Sequence, residues 1–285
     1  MRKEGKKMEE QFNKPAQIIP KNIQAGITKA TMPLGKMIML GMLAGSFIAL
    51  GGAASSVAAH NVSNVGLARL IMGAIFPVGL MMIVLVGGEL FTGNCMIVMA
   101  VMDKKAVWTG YVRNLIVVYF SNLAGALIID VLLLFSGQLE YSSGMMGAFA
   151  IKVAYGKVTI SPLAGFTSGV LCNMLVCLAI LMALAARDAA GKMLAVFFPI
   201  FAFVISGYEH CVANMYYIFM GILAKTNADY VQAAKELYGY TDGDLNKLTV
   251  VGSLKNFVPV TLGNIVGGAI LIGAACYLVQ KQKSE

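Results

Sequence analysis

Few residues in this sequence can do chemistry, and those that can stand where charge is rare. Glu89 lies in "GGELFTGN" and Glu209 in "SGYEHCVANM", each inside a long apolar run, and His210 follows Glu209 directly. Asn94, Asn173 and Asn214 add amide groups in similar surroundings. An ionisable side chain at that depth needs a partner and marks a functional position. For the glutamates two roles stand open: a clamp accepting from N–H groups freed where a helix is interrupted, or direct participation in proton movement. Their paired placement suits the clamp. His210 has Leu90 at the equivalent slot of the other motif, so symmetry does not require it. Imidazole changes charge near neutral pH, and the expected role is a substrate-facing hydrogen-bond or proton donor, set against a structural role or a metal ligand. The asparagines either face a pathway or join helices. Lys157, in "YGKVTISP", reads as a loop lysine, either solvated or projecting positive potential into a vestibule. His60 reads as solvated or interfacial.

The elements that must position these groups are long and apolar. Of 285 residues 58% are hydrophobic and 13% charged, a membrane composition. Nearly uncharged blocks run about 37–59, 67–102, 115–135, 162–186, 193–223 and 257–279, each enough for the ~20 residues of a crossing. The expectation is an all-α membrane protein of six transmembrane helices. The second and fifth blocks are too long for one crossing and carry Gly87–Gly88 and Ser206–Gly207 beside the glutamates. Glycine tolerates the positive φ of a break, so both read as broken helices whose freed backbone groups must line a cavity or meet a polar partner.

The chain also matches itself. "RNLIVVYFSNLAGA" from Arg113 aligns with "KNFVPVTLGNIVGG" from Lys255, pairing Asn114 with Asn256, Asn122 with Asn264 and Gly125 with Gly267. "GGELFTGN" aligns with "GYEHCVAN", and a Pro-Leu opens the first crossing of each half at Pro33 and Pro162. Three crossings per copy is odd, so the second copy enters from the opposite side: an inverted three-plus-three repeat, with matching segments meeting near the bilayer midplane. The domain reading is a 1–36 cytoplasmic arm with a possible surface helix near 20–30, a 37–280 channel domain with halves about 37–135 and 162–280, and a 281–285 cytoplasmic tail. The 225–255 loop reads as short external helices.

Fifteen of the 22 Lys and Arg fall in the arm, the 103–113 and 187–192 loops and the C-terminal tail, which by the positive-inside rule puts both ends in the cytoplasm. Basic membrane flanks account for the net charge of +8; without a basic stripe interleaved with aromatics, nucleic acid is not an expected partner. Cys95, Cys172, Cys177, Cys211 and Cys276 have no metal-ligand spacing and read as small hydrophobes. The 19 methionines read as filler.

"GGELFTG", "LCNMLVCLAI", "SGYEHCVANM" and "VTLGNIVGGA", in that order and spacing, resemble the formate/nitrite transporter family from Pro33 to Tyr277. The resemblance implies a homopentamer of aquaporin-like six-helix protomers in the cytoplasmic (inner) membrane, each with its own pore for formate, nitrite or hydrosulfide. It makes Leu80 and Leu90 apolar constriction residues on one side, with Phe203 among those on the other. It makes Thr92 and His210 the central polar pair, with Lys157, Glu209 and Asn173 in support; Glu89 and Asn214 join them from the motif reading. Cys211 and Val212 stand where many members have serine and isoleucine.

A bare anion crossing rings of leucine and phenylalanine loses hydration at a penalty of several kcal/mol or more. The positive N-termini of half-helices starting near Thr92 and Cys211, with a hydrogen bond or proton from His210, are the expected compensation. That scheme selects small monovalent weak-acid anions over chloride and makes flux rise as external pH falls. No cofactor, metal or enzymatic activity is expected. The alternative is an aquaporin-like facilitator of small neutral solutes, which lacks its "NPA" pair here. An intramembrane enzyme or haem subunit would need residues this chain does not have, and a scaffold gains nothing from broken helices.

Overall fold

A backbone surrounded by hydrocarbon must satisfy its own hydrogen bonds, and the apolar blocks do so as helices. The computed structural model describes residues 12–281; residues 1–11 and 282–285, which take in part of the expected arm and most of the tail, lie outside the described residues. The elements are α1 (Pro15–Ala30), α2 (Leu34–Ala59), α3 (Val65–Val86), α4 (Phe91–Met102), α5 (Trp108–Phe135), α6 (Met145–Val158), α7 (Pro162–Ala185), α8 (Ala189–Ser206), α9 (Cys211–Ala224), α10 (Ala228–Tyr238) and α11 (Val250–Gln280). Six of them, α2, α3, α5, α7, α8 and α11, are long and apolar enough to cross a membrane. The expected all-α, six-span membrane fold is the one observed, with the second and fifth blocks divided into α3 plus α4 and α8 plus α9. Among the described residues the only β pairing is a single bridge between Phe12 and Ala186.

The helices pack as matching pairs, α2 along α5 and α7 along α11. Small residues allow the close approach: a Cβ added at Gly125 would strike the Met42 carbonyl and one at Gly267 the Val170 carbonyl, the two contact points the repeat implies. Around Gly267 the α11 ladder widens to π-helical geometry over Val266–Ala274. Proline bends α3 at Pro77, where the missing N–H removes a ladder bond. The outward faces carry Phe120, Leu132, Phe135, Phe198 and Val251 exposed, an apolar surface of the kind lipid or neighbouring subunits cover.

Three of these helices, α1, α6 and α10, stand outside the expected spans. The helix expected near the membrane surface at 20–30 runs over Pro15–Ala30 and turns Ile19, Asn22, Ile23, Gly26 and Ala30 into the protein, where α4 and α7 receive them. α6 occupies residues that read as loop, and it packs against α9 and α10. The 225–255 segment does form short helices, α10 and a turn at Asp242–Leu245.

Candidate functional site

Both helix breaks turn on glycine. α3 ends at Val86 and Gly87 takes φ 106°; α8 ends at Ser206 and Gly207 takes φ 71°. Each break frees an N–H and a C=O, and one buried amide meets both. Asn122, from α5, accepts from Phe91 N (3.0 Å) and donates to Glu89 O (2.8 Å) and Gly41 O (2.7 Å). Asn264, from α11, accepts from Cys211 N (2.9 Å) and donates to Glu209 O (3.0 Å) and Gly169 O (2.8 Å). The glutamate carboxylates are therefore not the acceptors of the freed N–H groups, contrary to the clamp expectation. A carboxylate only accepts, whereas an amide donates and accepts at once and so satisfies both sides of a break.

The carboxylates face lysines instead. Glu89 pairs with Lys29 (2.9 Å) and accepts from Asn94 Nδ2 (2.7 Å). Glu209 pairs with Lys157 (2.9 Å) and accepts from Asn214 Nδ2 (2.6 Å) and Asn256 Nδ2 (3.0 Å). Asn114 and Asn256 complete each cluster, accepting from Asn94 and Asn214 and donating to the Lys29 and Lys157 carbonyls. Lys157 is thus not a solvated loop residue; it sits in the last turn of α6 with 15% of its side chain exposed. Lys29, its counterpart in the last turn of α1, was not singled out in the sequence. The signal was present: "KATMPL" from Lys29 matches "KVTISPL" from Lys157 once a one-residue insertion is allowed. The repeat therefore includes α1 and α6.

The two halves meet at Thr92 and His210, whose Oγ1 and Nε2 lie 2.9 Å apart. His210 is the N-cap of α9, its Nδ1 accepting from Ala213 N at 2.9 Å. Because Nδ1 accepts, the neutral ring carries its proton on Nε2 and donates it to Thr92. Asn173 holds the other side, donating to Thr92 O (3.1 Å) and Asn264 O (2.6 Å). Phe203 stacks on the imidazole with centroids 6.0 Å apart, and Phe76 meets Phe203 edge-on at 5.6 Å.

Two cavities adjoin this pair, one reaching Leu90 and Gly93 beside Thr92 and the other reaching His210. One, of about 250 Å³, is lined by Leu80, Leu90, Asn94, Lys29, Asn22 and Lys192 among others. The second, of about 140 Å³, is lined by His210, Phe203, Asn214, Lys157, Tyr208 and Tyr217 among others. Leu80 and Leu90, which line the first cavity, and Phe203, which lines the second, are all nearly fully buried. Among the described residues no three His, Cys, Asp or Glu side chains gather as a metal site; the five cysteines are unpaired and four of them buried.

A family model described as "Formate/nitrite transporter" matches residues 16–278. A "Probable formate transporter" of Methanothermobacter thermautotrophicus is 39% identical over 262 residues, covering 86% of this chain and 88% of that protein. "Formate channel FocA" of Escherichia coli (strain K12) is 32% identical over 268 residues, 92% of each chain. A solved structure described as a "Pentameric formate channel with formate bound" superposes with a TM-score of 0.75 at 32% identity, over 86% of this chain and 97% of that one.

Proposed function

This chain belongs to the formate/nitrite transporter family, and from that premise we propose that it is a cytoplasmic-membrane channel for small monovalent weak-acid anions, formate first and nitrite or hydrosulfide beside it. Five copies assemble, each with its own path, and both chain ends face the cytoplasm. The inverted relation of the halves follows from the odd number of spans in each. The names of the relatives support the substrate class.

The observation that carries the reading is the Thr92–His210 hydrogen bond, with His210 lining one cavity and Leu90 and Gly93, the neighbours of Thr92, lining the other. An anion advancing past Leu80 and Leu90, or past Phe203 from the other side, sheds water against apolar side chains. At the centre the Nε2–H of His210 turns from Thr92 to the anion, Thr92 Oγ1 offers its own proton, and the positive N-terminal ends of α4 and α9 add to both. The neutral tautomer makes His210 a hydrogen-bond donor in this scheme. Handing over a proton instead would first require a second proton at Nδ1, which removes the cap on Ala213 N.

Proteoliposomes carrying the purified protein test this with formate, nitrite, hydrosulfide, lactate and chloride at two external pH values. Formate, nitrite and hydrosulfide are expected to enter and chloride to be excluded, and a rate that climbs steeply as external pH falls would instead favour proton transfer from a doubly protonated His210. Chloride flux equal to formate flux would overturn the proposal.

A further inference from the structure

The two cavities differ in charge. In the smaller one the lining ammonium is Lys157, and Glu209 neutralises it at 2.9 Å. In the larger one Lys29 is likewise neutralised, by Glu89 at 2.9 Å with Asn94 Oδ1 at 2.7 Å, but a second ammonium, Lys192, lines the same cavity. The Lys192 ammonium has no ion pair or hydrogen bond with any described residue, the residue's one hydrogen bond being from its backbone N–H to Asp188 O at 3.1 Å. Asp188, the N-cap residue just before α8, turns its carboxylate to the helix end, accepting from Gly191 N at 2.8 Å, and makes no ion pair with Lys192. Among the described residues the larger cavity thus carries one ammonium without an ion-pair partner. Its inner walls are Leu80, Ile83, Leu90 and Ile180, a low-dielectric surround that strengthens the field of a single charge and raises the local concentration of counter-ions.

Resting on the reading of the protein as an anion channel, we infer that Lys192 is an anion-binding residue at the mouth of the larger cavity, holding a small monovalent anion such as a carboxylate before it reaches Leu80 and Leu90. The site is distinct from the Thr92–His210 pair, and it has no counterpart in the smaller cavity. Capture by a partly exposed charge is sensitive to salt, because the screening length falls from about 30 Å at 0.01 M to about 8 Å at 0.15 M ionic strength. It also acts on entry from one face only.

The test is initial formate flux into oriented proteoliposomes, measured from the α1 face and from the opposite face, at low and high ionic strength. The chains compared are the unsubstituted protein, Lys192→Gln, Lys192→Arg and Lys192→Glu, each checked for an intact oligomer by size-exclusion chromatography. At low ionic strength Lys192→Gln should raise the half-saturating concentration for entry at the α1 face about tenfold, the lower end of what a charged cleft contributes. Lys192→Glu should raise it further and Lys192→Arg should leave it near that of the unsubstituted protein. The differences should shrink at high ionic strength, and the half-saturating concentration for entry at the opposite face should not move. An unchanged value at the α1 face, or equal shifts at both faces, overturns the assignment. Absence of formate flux in the unsubstituted protein would instead remove the channel reading itself.

Discussion

His210 makes two contacts through two nitrogens, and two substitutions separate them. Nδ1 caps α9 by accepting from Ala213 N at 2.9 Å, while Nε2 reaches Thr92 at 2.9 Å. Asparagine is among the strongest N-cap residues, so His210→Asn keeps the cap, but its shorter side chain gives up the Thr92 contact. His210→Ala loses both. Removal of a cap costs about 1 kcal/mol, which for a chain of this size lowers Tm by about 2–4 °C. The alanine variant should therefore melt a few degrees below the asparagine variant, which should stay near the unsubstituted protein. For transport, loss of a hydrogen bond to a charged group removes about 1.5–3 kcal/mol. At about 1.4 kcal/mol per tenfold, formate flux should fall about ten- to a hundredfold in both variants. Differential scanning fluorimetry in detergent reads the first effect, and stopped-flow proteoliposome uptake reads the second. A folded His210→Asn channel with undiminished formate flux would refute the argument that the imidazole offsets anion desolvation.

Other consequences follow from the same contacts. Asn264→Ala leaves Cys211 N and Glu209 O unpaired; at about 1–3 kcal/mol for each buried orphan, the oligomer should lose several kcal/mol of stability, read as a lower Tm, and an unchanged Tm would mean the break finds other partners. Lys157→Met strands Glu209 in a buried site and should cost about 3–5 kcal/mol, most of it recovered in Lys157→Met with Glu209→Gln; a double variant no more stable than the single one contradicts the ion-pair account. Asp130, on α5, is fully buried with neither carboxylate oxygen hydrogen-bonded to a described residue. Asp130→Asn, nearly equal in volume and never charged, should therefore raise Tm, and a fall would show that the carboxyl has a partner. On the exposed cap, hydrogen bonds from Thr241, then Tyr155 and Lys247, hold the Asp244 carboxyl below the usual carboxylate range. Its contribution is complete above the ordinary aspartate value of about 3.9 and declines as pH falls towards the lowered folded value. Amide exchange over 241–249 should thus be protected equally at pH 7 and pH 5 and accelerate only in stronger acid; acceleration already at pH 5 contradicts this.

Hydropathy made the six spans legible, and Gly87 and Gly207 made both breaks legible, because few residues other than glycine accept φ of 106° and 71°. α6 was not, since its 14 residues are too few to announce a crossing and Lys152 and Lys157 interrupt its apolar pattern. With α6 unread, Lys29 had no visible counterpart, and a one-residue insertion before Pro162 hid the match. Asn114, Asn122, Asn256 and Asn264 stood out as repeated residues, yet their partners lie on other helices. Only packing could show which amide meets which break. The cap made by His210 was also hidden, because serine, threonine, aspartate and asparagine are the side chains that advertise an N-cap.

What the halves share and where they differ divides scaffold from chemistry. Amides at Asn122 and Asn264, ion pairs at Glu89 and Glu209, and the relay through Asn114 and Asn256 recur on both sides. Each solves a problem that every broken membrane helix poses, namely freed backbone groups and buried charge, so repetition is what structural necessity produces. The departures have no such cause. Leu90 and His210 occupy equivalent N-cap positions with nearly the same backbone angles, φ −105° and −113°, and only the histidine caps its helix through its side chain. Nothing in the break itself demands imidazole on one side and an isobutyl group on the other. The difference sets the Thr92–His210 contact beside the buried apolar side chains of Leu80, Leu90 and Phe203, which under the proposed function is what a path needs if it is to be closed to hydrated ions and still tolerate an anion at its midpoint.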